Sequence, residues 1–544
     1  MTQAGRRVVG GLATAAAMIA AVTVLSRVLG FVRYLVGAAT IGMGSVADAY
    51  NSANVLPNVL FEVAAGGALA GALVPLLAGP LSRRDRATVD RTVGAALGWT
   101  SLVLTPLGVL LAALSGPIAG ALSHGHGAGQ AAVVRFFILV FAVQVPLYGL
   151  TVLLYAVLQA HRRFFWPAFA PVMSSVVVVA AYVVYGMLAD GERDDPAAVP
   201  GAALQVLAWG TTAGVAAMCF PMLVPVRRIG VALRPTLRFP PGVGRRFRSL
   251  AFAGVGAVAV QQLSVLVMLQ LAVSRGSIGS YTTYVYGQQV YLLPYAILVV
   301  PLATSTFPRV AARVASGDHE GFARLSALTT RAVLAAATLG AAVILAAAPA
   351  VARVFATLSH SAAAQPHMTA LLTWMVPGVI GFAAMFHVGR TLYALERARA
   401  AVMCAVAGWG TVAVVAVLAV TVLTRDGPDG REALTALGLA TTVGMTVGGG
   451  ATLVALRRAA GRAALDGLGR TGPVLLAAGT VGAVCGRWVA DLVAQVAGTD
   501  AWTAVGAALG AGLVALLVVG TAVLVLDGET VRAVLLVEHE PAPR

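Results

Sequence analysis

Apolar residues dominate the chain in windows of about 20 residues or more, the length a helix needs to cross a hydrocarbon layer, and short polar stretches separate them. The windows cover residues 9–41, 46–79, 91–123, 131–159, 164–188, 202–226, 248–273, 280–312, 324–354, 369–395, 399–423, 433–456, 473–496 and 502–526. The pattern predicts an all-α polytopic membrane protein with fourteen transmembrane helices. Residues 1–26 have the basic start and apolar run of a signal peptide, but the run continues past Arg27, so it reads as an uncleaved first span.

Charge tests this count independently, because cytoplasmic loops should hold the arginines. The N-terminus and alternate loops carry Arg6 and Arg7, Arg83 to Arg91, Arg162 and Arg163, Arg227 to Arg248, Arg309 to Arg324, Arg390 to Arg399 and Arg457 to Arg470. The opposite loops hold Arg193, Arg275, Arg425 and Arg431, together with acidic runs such as "DGERDD" at 190–195. An even number of spans with both termini in the cytoplasm follows.

Two short stretches repeat at nearly constant spacing. "VLPNVL" at 55–60 returns as "LLPYAI" at 292–297, and "LQAHRR" at 158–163 returns as "LYALER" at 392–397. Such spacing predicts one six-helix unit copied in parallel, as in transporters whose path lies between the copies. The expected organisation is an N-lobe at 1–226, a basic cytoplasmic linker at 227–247, a C-lobe at 248–456, two added helices at 457–526 and a cytoplasmic tail at 527–544.

Composition agrees: 59% of the 544 residues are hydrophobic and 11% charged, with a mean hydropathy of +0.88. The net charge of +16 resides entirely in arginine, since the chain has no lysine. These arginines punctuate apolar runs instead of clustering on a soluble domain, which excludes a nucleic-acid partner. Cys219, Cys404 and Cys485 fall within expected spans and read as small core residues. No nucleotide-binding loop, nucleophile elbow or paired CxxC occurs, so the chain reads as a non-enzyme with no cofactor and no metal. "HGHG" at 124–127 supplies too few ligands for a metal.

The candidate chemistry is the polar content of the spans, where charges are costly and default to a cavity or a partner. On a helix wheel centred on Asn51, Asp48 lies at about +60°, Asn54 at −60°, Asn58 at −20° and Glu62 at +20°. These five residues form one stripe, interrupted by Pro57. The eighth span carries Tyr284, Gln288, Tyr291 and Tyr295 as a second stripe, with Gln289 beside it and Pro294 where the repeat matches Pro57. Arg27 and Arg33 in the first span complete the set. Two readings are open: these groups line a path, or they pair with each other across helices, Arg27 or Arg33 with Asp48 or Glu62.

The wording of several stretches is distinctive. "SRVLGFVR" at 26–33, "ADAYNSANVLPNVLFEVAAGGALAGALVPLL" at 47–77, "RRFFWPAFAPV" at 162–172 and "GRTLYALERARA" at 389–400 resemble the MurJ/MviN family of lipid II flippases in the multidrug/oligosaccharidyl-lipid/polysaccharide exporter superfamily. The "DAYNxANxLPN" wording followed by Glu is similar to high-GC Gram-positive members. The resemblance implies two lobes in a V around a cationic cavity, which takes the diphosphate and sugars of lipid II or a related polyprenyl-diphosphate lipid. It also implies a groove by the last two helices for the polyprenyl tail, a multi-pass place in the bacterial plasma membrane, and cell-wall synthesis proteins as partners. Arg27, Arg33 and Asp48 match the family's cavity residues. Two further family arginines are absent: the double-Arg step reads Phe61 and Glu62, and the arginine of the eighth span reads Gln289. Substrate-binding residues are therefore expected among Arg27, Arg33, Asp48, Asn51, Asn58, Glu62, Gln288, Gln289 and Tyr291, with Glu62 paired to an arginine of the first span while the cavity is empty.

Other functions make different demands. A drug/cation antiporter would want acids in a cavity without arginines, and an exporter of another polyprenyl-linked polysaccharide would share the arginines. A glycosyltransferase would need Asp194 and Asp195 as an outer-loop catalytic pair, in a loop that reads as a solvated turn. A scaffold for cell-wall enzymes would leave the intramembrane stripe without a purpose. With no nucleotide site, outward movement of an anionic head group is expected to draw on the membrane potential.

Overall fold

The computed structural model describes residues 3–63, 67–123, 128–191, 195–498, 500–526 and 528, and among these every regular element is helical. Twelve helices are long and apolar enough to cross a membrane, and the pair Ala364–Met375 and Gly378–Ala394, bent by 46°, makes a thirteenth if taken as one span. The window at 46–79 contains the helices Ser45–Phe61 and Gly67–Ser82, one on each side of residues 64–66, which lie outside the described residues. The HGHG stretch, Asp194 and the tail after 528 lie outside them as well. A helical answer is what lipid imposes, since a spanning chain must satisfy its backbone internally.

Contacts divide the chain into two compact units, Met1–Gln262 and Leu263–Arg544. The first holds α1 (Gln3–Thr40), α2 (Ser45–Phe61), α3 (Gly67–Ser82), α4 (Arg86–Ala113), α5 (Ser115–Ala121), α6 (Ala128–Phe141), α7 (Gln144–Ala160), α8 (Phe165–Leu188), α9 (Gly201–Cys219), α10 (Leu223–Arg228) and the first part of α11 (Val243–Arg275). The second holds the rest of α11, then α12 (Ser280–Pro294), α13 (Val300–Ala315), α14 (His319–Ser359), α15 (Ala364–Met375), α16 (Gly378–Ala394), α17 (Ala398–Leu423), α18 (Gly430–Ala460), α19 (Leu468–Ala497) and α20 (Ala501–Leu526).

The internal repeat is visible in the turns. α7 ends with Arg162 at φ 59°, and the Arg163 N–H reaches back to the Leu158 carbonyl at 2.8 Å; α16 ends with Glu396 at φ 58°, and the Arg397 N–H bonds the Leu392 carbonyl at 2.8 Å. Both are the six-to-one closure of a left-handed helix stop. Arg162 and Glu396 occupy matching places in "LQAHRR" and "LYALER", so the two short stretches share a conformation as well as letters. The same closure precedes α4 and α14, where Asp85 and Asp318 then cap the next helix by accepting from Thr88 N at 3.0 Å and Gly321 N at 2.8 Å.

Small residues set the packing of the second unit. A Cβ on Gly381 of α16 would stand 2.2 Å from the Met445 carbonyl of α18, and one on Gly408 of α17 would meet Gly448 at 3.1 Å. Ala342 and Ala346 of α14 face Ala490 of α19 and Ala511 and Ala515 of α20 in one buried cluster. Helices in lipid associate through such close contacts, because apolar side chains gain little by leaving lipid. In the first unit Leu73, Val93, Leu154, Leu158 and Met222 form the core against which α3, α4 and α7 pack. The three cysteines are free, and Arg487 lies 3.7 Å from Asp491 one turn on, an exposed intrahelical pair.

Candidate functional site: a tyrosine-ringed arginine

The sequence of α2 puts polar groups on one stripe and a proline in the middle of it. Pro57 has no N–H to donate, which loosens the helix at that point. Asn51 and Asn58 turn their side-chain amides back to the carbonyls one turn earlier, Ala47 at 3.0 Å and Asn54 at 3.1 Å. Beyond Phe61 the helix widens into π geometry at Glu62 and Val63, the kind of local bulge that often accompanies a functional position.

On the other side of α2, Tyr50 locks the helix into the unit. Its hydroxyl lies 2.9 Å from that of Tyr182 on α8 and 3.0 Å from Thr211 Oγ1 on α9. Its ring meets Phe137, Phe141 and Tyr182 edge-on at 5.7–5.9 Å. Asp48 and Asn51 on the same helix are buried.

Arg33 projects from α1 into the neighbourhood of these hydroxyls. Its guanidinium donates to the Tyr34 hydroxyl at 3.1 Å and sits 5.0 Å from that ring's centre, and Tyr50, Tyr148 and Tyr182 lie close enough to interact with its charge. Tyr148 in turn is within hydrogen-bonding reach of Asn58, and its ring packs 5.5 Å from Phe61. The Arg33 Nε is buried with no hydrogen-bond partner, and so is the Asn54 Oδ1.

The expected pair between Glu62 and an arginine of the first span is absent among the described residues. Arg33 is ringed by phenols instead of carboxylates, and Arg27, two turns earlier on α1, is exposed and makes no ion pair there. The physical reason lies in the helix ends. Glu62 closes α2, where its own N–H is shared between the Asn58 and Val59 carbonyls, in a half-buried position.

In the second unit the matching helix keeps the proline and the bulge. α12 ends at Pro294 and runs through a π turn, Tyr295–Val299, into α13. Tyr284 and Tyr291 are buried, and Tyr295 packs on Phe382 with tilted rings at 4.7 Å and meets Phe386 edge-on at 5.0 Å. Tyr291 packs 6.4 Å from Phe382 with its hydroxyl buried and unbonded. Gln288 and Gln289 are half-buried and make no side-chain hydrogen bond among the described residues. Thus the structure brings Arg33 and Asn58 to a common neighbour, Tyr148, leaves Arg27 exposed and Glu62 half-buried, and folds Tyr291 into an aromatic cluster of its own unit.

Sequence reasoning missed Tyr50, Tyr148 and Tyr182, which stand around Arg33, and Thr211, which bonds the Tyr50 hydroxyl. It also missed His387, buried on α16 with Nε2 3.2 Å from Thr329 Oγ1. A signal was present: phenols in otherwise aliphatic spans need a partner for the hydroxyl.

The family model described as Lipid II flippase MurJ matches residues 37–504. The chain belongs to this family. Among curated relatives, the probable lipid II flippase MurJ of Rhizobium meliloti is 27% identical over 317 residues, covering 57% of this chain and 56% of the relative. The lipid II flippase MurJ of Burkholderia cenocepacia is 30% identical over 311 residues, 55% of this chain and 57% of the relative. The chain thus aligns with a little over half the length of these relatives. For the fold, a solved lipid II flippase MurJ in an inward closed conformation superposes with a TM-score of 0.70 at 17% identity, over 93% of this chain and 98% of that one. An inward-facing multidrug resistance MATE family transporter of the MOP superfamily gives 0.65 at 13% identity, over 79% and 95%. Membership of the MurJ family and the all-helical, multi-pass architecture rest on these findings together.

Proposed function

We propose that the chain is a transporter, not an enzyme, that moves a lipid-linked peptidoglycan precursor of the lipid II class from the inner to the outer leaflet by alternating access. The observation that carries the reading is Arg33. A guanidinium inside a membrane unit, with a buried N–H unbonded and no carboxylate against it, is a costly arrangement unless an anion completes it. A diphosphate has the oxygens to accept from such a fork. The amides of Asn54 and Asn58 suit the hydroxyls and amides of a sugar.

The finer parts of this reading are proposals too: fourteen spans, with α2 and α3 forming the fourteenth; two lobes in a V; both termini in the cytoplasm; a plasma-membrane location; cell-wall synthesis proteins as neighbours. So is a place near high-GC Gram-positive members, which rests on the α2 wording, while the relatives named above are proteobacterial. Glu62 and Gln289, where other members carry arginine, leave Arg33 as the main charge for the phosphate. Depletion of the protein in its native host tests the function. Lipid II should accumulate in the inner leaflet, inaccessible to an externally added lipid II-cleaving enzyme. Unchanged lipid II distribution together with loss of another polyprenyl-linked polymer would move the assignment to that substrate, and export of organic cations would move it to the antiporters.

A further inference from the structure

The segment between α10 and α11 is held along α4. Val231 is buried in the core of the first unit, and Ile229 and Leu233 pack beside it. Three hydrogen bonds pin the segment: Ala232 N–H to Asp90 Oδ1 at 3.0 Å, Thr236 N–H to the Gly94 carbonyl at 3.0 Å, and the Trp99 indole N–H to the Leu237 carbonyl at 3.1 Å. Asp90, Gly94 and Gly98 follow at intervals of four on one face of α4, and the glycines make the approach possible. A Cβ on Gly94 would stand 2.3 Å from the Arg234 carbonyl oxygen, and one on Gly98 2.2 Å from that of Thr236. From Asp90 to Trp99 the strap follows the helix axis for about 14 Å.

Where the strap leaves α4, Ser101, Leu102 and Thr105 of the helix and Pro235 and Leu237 of the strap line an open groove. Leu102 and Leu237 are about half exposed (49% and 51%), and the helix continues beyond with exposed Val109 and Leu110. Arg234 and Arg238 flank the strap's groove residues and are exposed. No acidic residue occurs between Asp195 and Asp318, and Asp90 is engaged by the strap backbone. The groove is therefore apolar along a membrane span, cationic at its mouth, and bordered by a tryptophan of the kind that sits at head-group depth.

We propose that this groove binds an anionic phospholipid of the cytoplasmic leaflet, its phosphate between Arg234 and Arg238 and an acyl chain along Leu102 and Thr105. Charge complementarity chooses the occupant. Clustered arginines next to a span attract anionic head groups, and the apolar floor selects a lipid over a free anion. Bound lipid would hold the strap at the membrane surface. The site is separate from the Arg33 cluster and does not depend on what the protein transports.

The test is native mass spectrometry of the full-length protein in mild detergent, titrated with phosphatidylglycerol or phosphatidylcholine. One phosphatidylglycerol should be retained in preference to phosphatidylcholine. Arg234→Gln with Arg238→Gln should weaken its retention about thirtyfold. Thr105→Trp, which fills the groove at an exposed position and keeps both arginines, should weaken it comparably. Arg227→Gln with Arg228→Gln, exposed arginines outside the groove, should leave it within about threefold. Equal retention of the two lipids, retention unmoved by either groove variant, or full displacement by inorganic phosphate would overturn the assignment.

Discussion

Removing the charge at Arg33 separates its role in transport from its role in the fold. Within the protein the guanidinium makes one hydrogen bond to Tyr34 at 3.1 Å and one cation–π contact at 5.0 Å. A hydrogen bond of this kind contributes about 1 kcal/mol net and the cation–π contact roughly 0.5 to 1 kcal/mol. Against this stands the desolvation of a charge with a buried, unbonded Nε, on the order of 1 to 3 kcal/mol. The two offset, so Arg33→Gln should leave folding stability within about 1 kcal/mol. Binding differs, because each charge-assisted hydrogen bond to a phosphate contributes roughly 1.5 to 3 kcal/mol. Loss of one or two such bonds predicts at least a tenfold fall in lipid II affinity or flipping rate. Arg33→Lys keeps the charge but not the fork, and should fall between. The assay pairs complementation of a depleted host with melting of the purified variant. Complementation by Arg33→Gln at wild-type protein level would remove Arg33 from the site, and a variant that fails to accumulate would make it structural.

Tyr50→Phe deletes a hydroxyl that bridges Tyr182 and Thr211 and should destabilise the first unit by about 1 to 2 kcal/mol, read as a lower melting temperature with lipid binding retained in the folded fraction. Gly381→Leu pushes a side chain against the Met445 carbonyl and should cost about 3 kcal/mol or more, seen as loss of membrane accumulation; normal levels would refute the close approach of α16 and α18. Asp85, which caps α4 through Thr88, and Asp318, which caps α14 and pairs with Arg313, are both held below the usual carboxylate range by those hydrogen bonds. Since the folded value is the depressed one, the caps stabilise above the ordinary carboxylate value and are lost as pH falls through the folded value. Amide exchange at Thr88 and Gly321 should therefore accelerate on acidification below about pH 4, and Asp85→Asn should remove the pH dependence at Thr88 alone.

The all-helical, multi-pass character was legible because lipid imposes a length and forbids open backbone. The count was not: among the described residues twelve helices, or thirteen with the bent pair, are long and apolar enough to span, against the fourteen expected. The repeat was legible in two six-residue stretches because one of them encodes a left-handed helix stop, and Arg162 and Glu396 adopt it with different side chains. The site was half legible. Spacing placed Asp48, Asn51, Asn54 and Asn58 on one stripe of α2, but it says nothing about which neighbouring helix faces that stripe. Partner choice for Arg33 required knowing that α7, α8 and α9 bring Tyr148, Tyr182 and Thr211 to the same place. The charge-pairing expectation for Glu62 failed for the same reason: the wheel could not show that phenols from neighbouring helices would meet Arg33 first.

The paired prolines give the two units a common mechanical element and different chemistry around it. Pro57 and Pro294 sit at matching repeat positions, and each is followed within about five residues by π geometry, at Glu62 and Val63 in one case and Tyr295–Val299 in the other. A proline followed by a wide turn is where a helix bends most easily, since hydrogen bonds are already missing or lengthened there. Around the first bend the repeat has placed a cation, phenols and amides. Around the second it has placed Tyr291, Tyr295, Phe382 and Phe386, with the Arg390 guanidinium 4.1 Å over the Phe386 ring. Had the copies kept identical chemistry, each would present the same site to an anion. Under the proposed function, the divergence gives the first unit a buried guanidinium among phenols and amides that an anion could complete, and the second an aromatic cluster whose arginine is already engaged by Phe386, while each keeps a bend that alternating access could use.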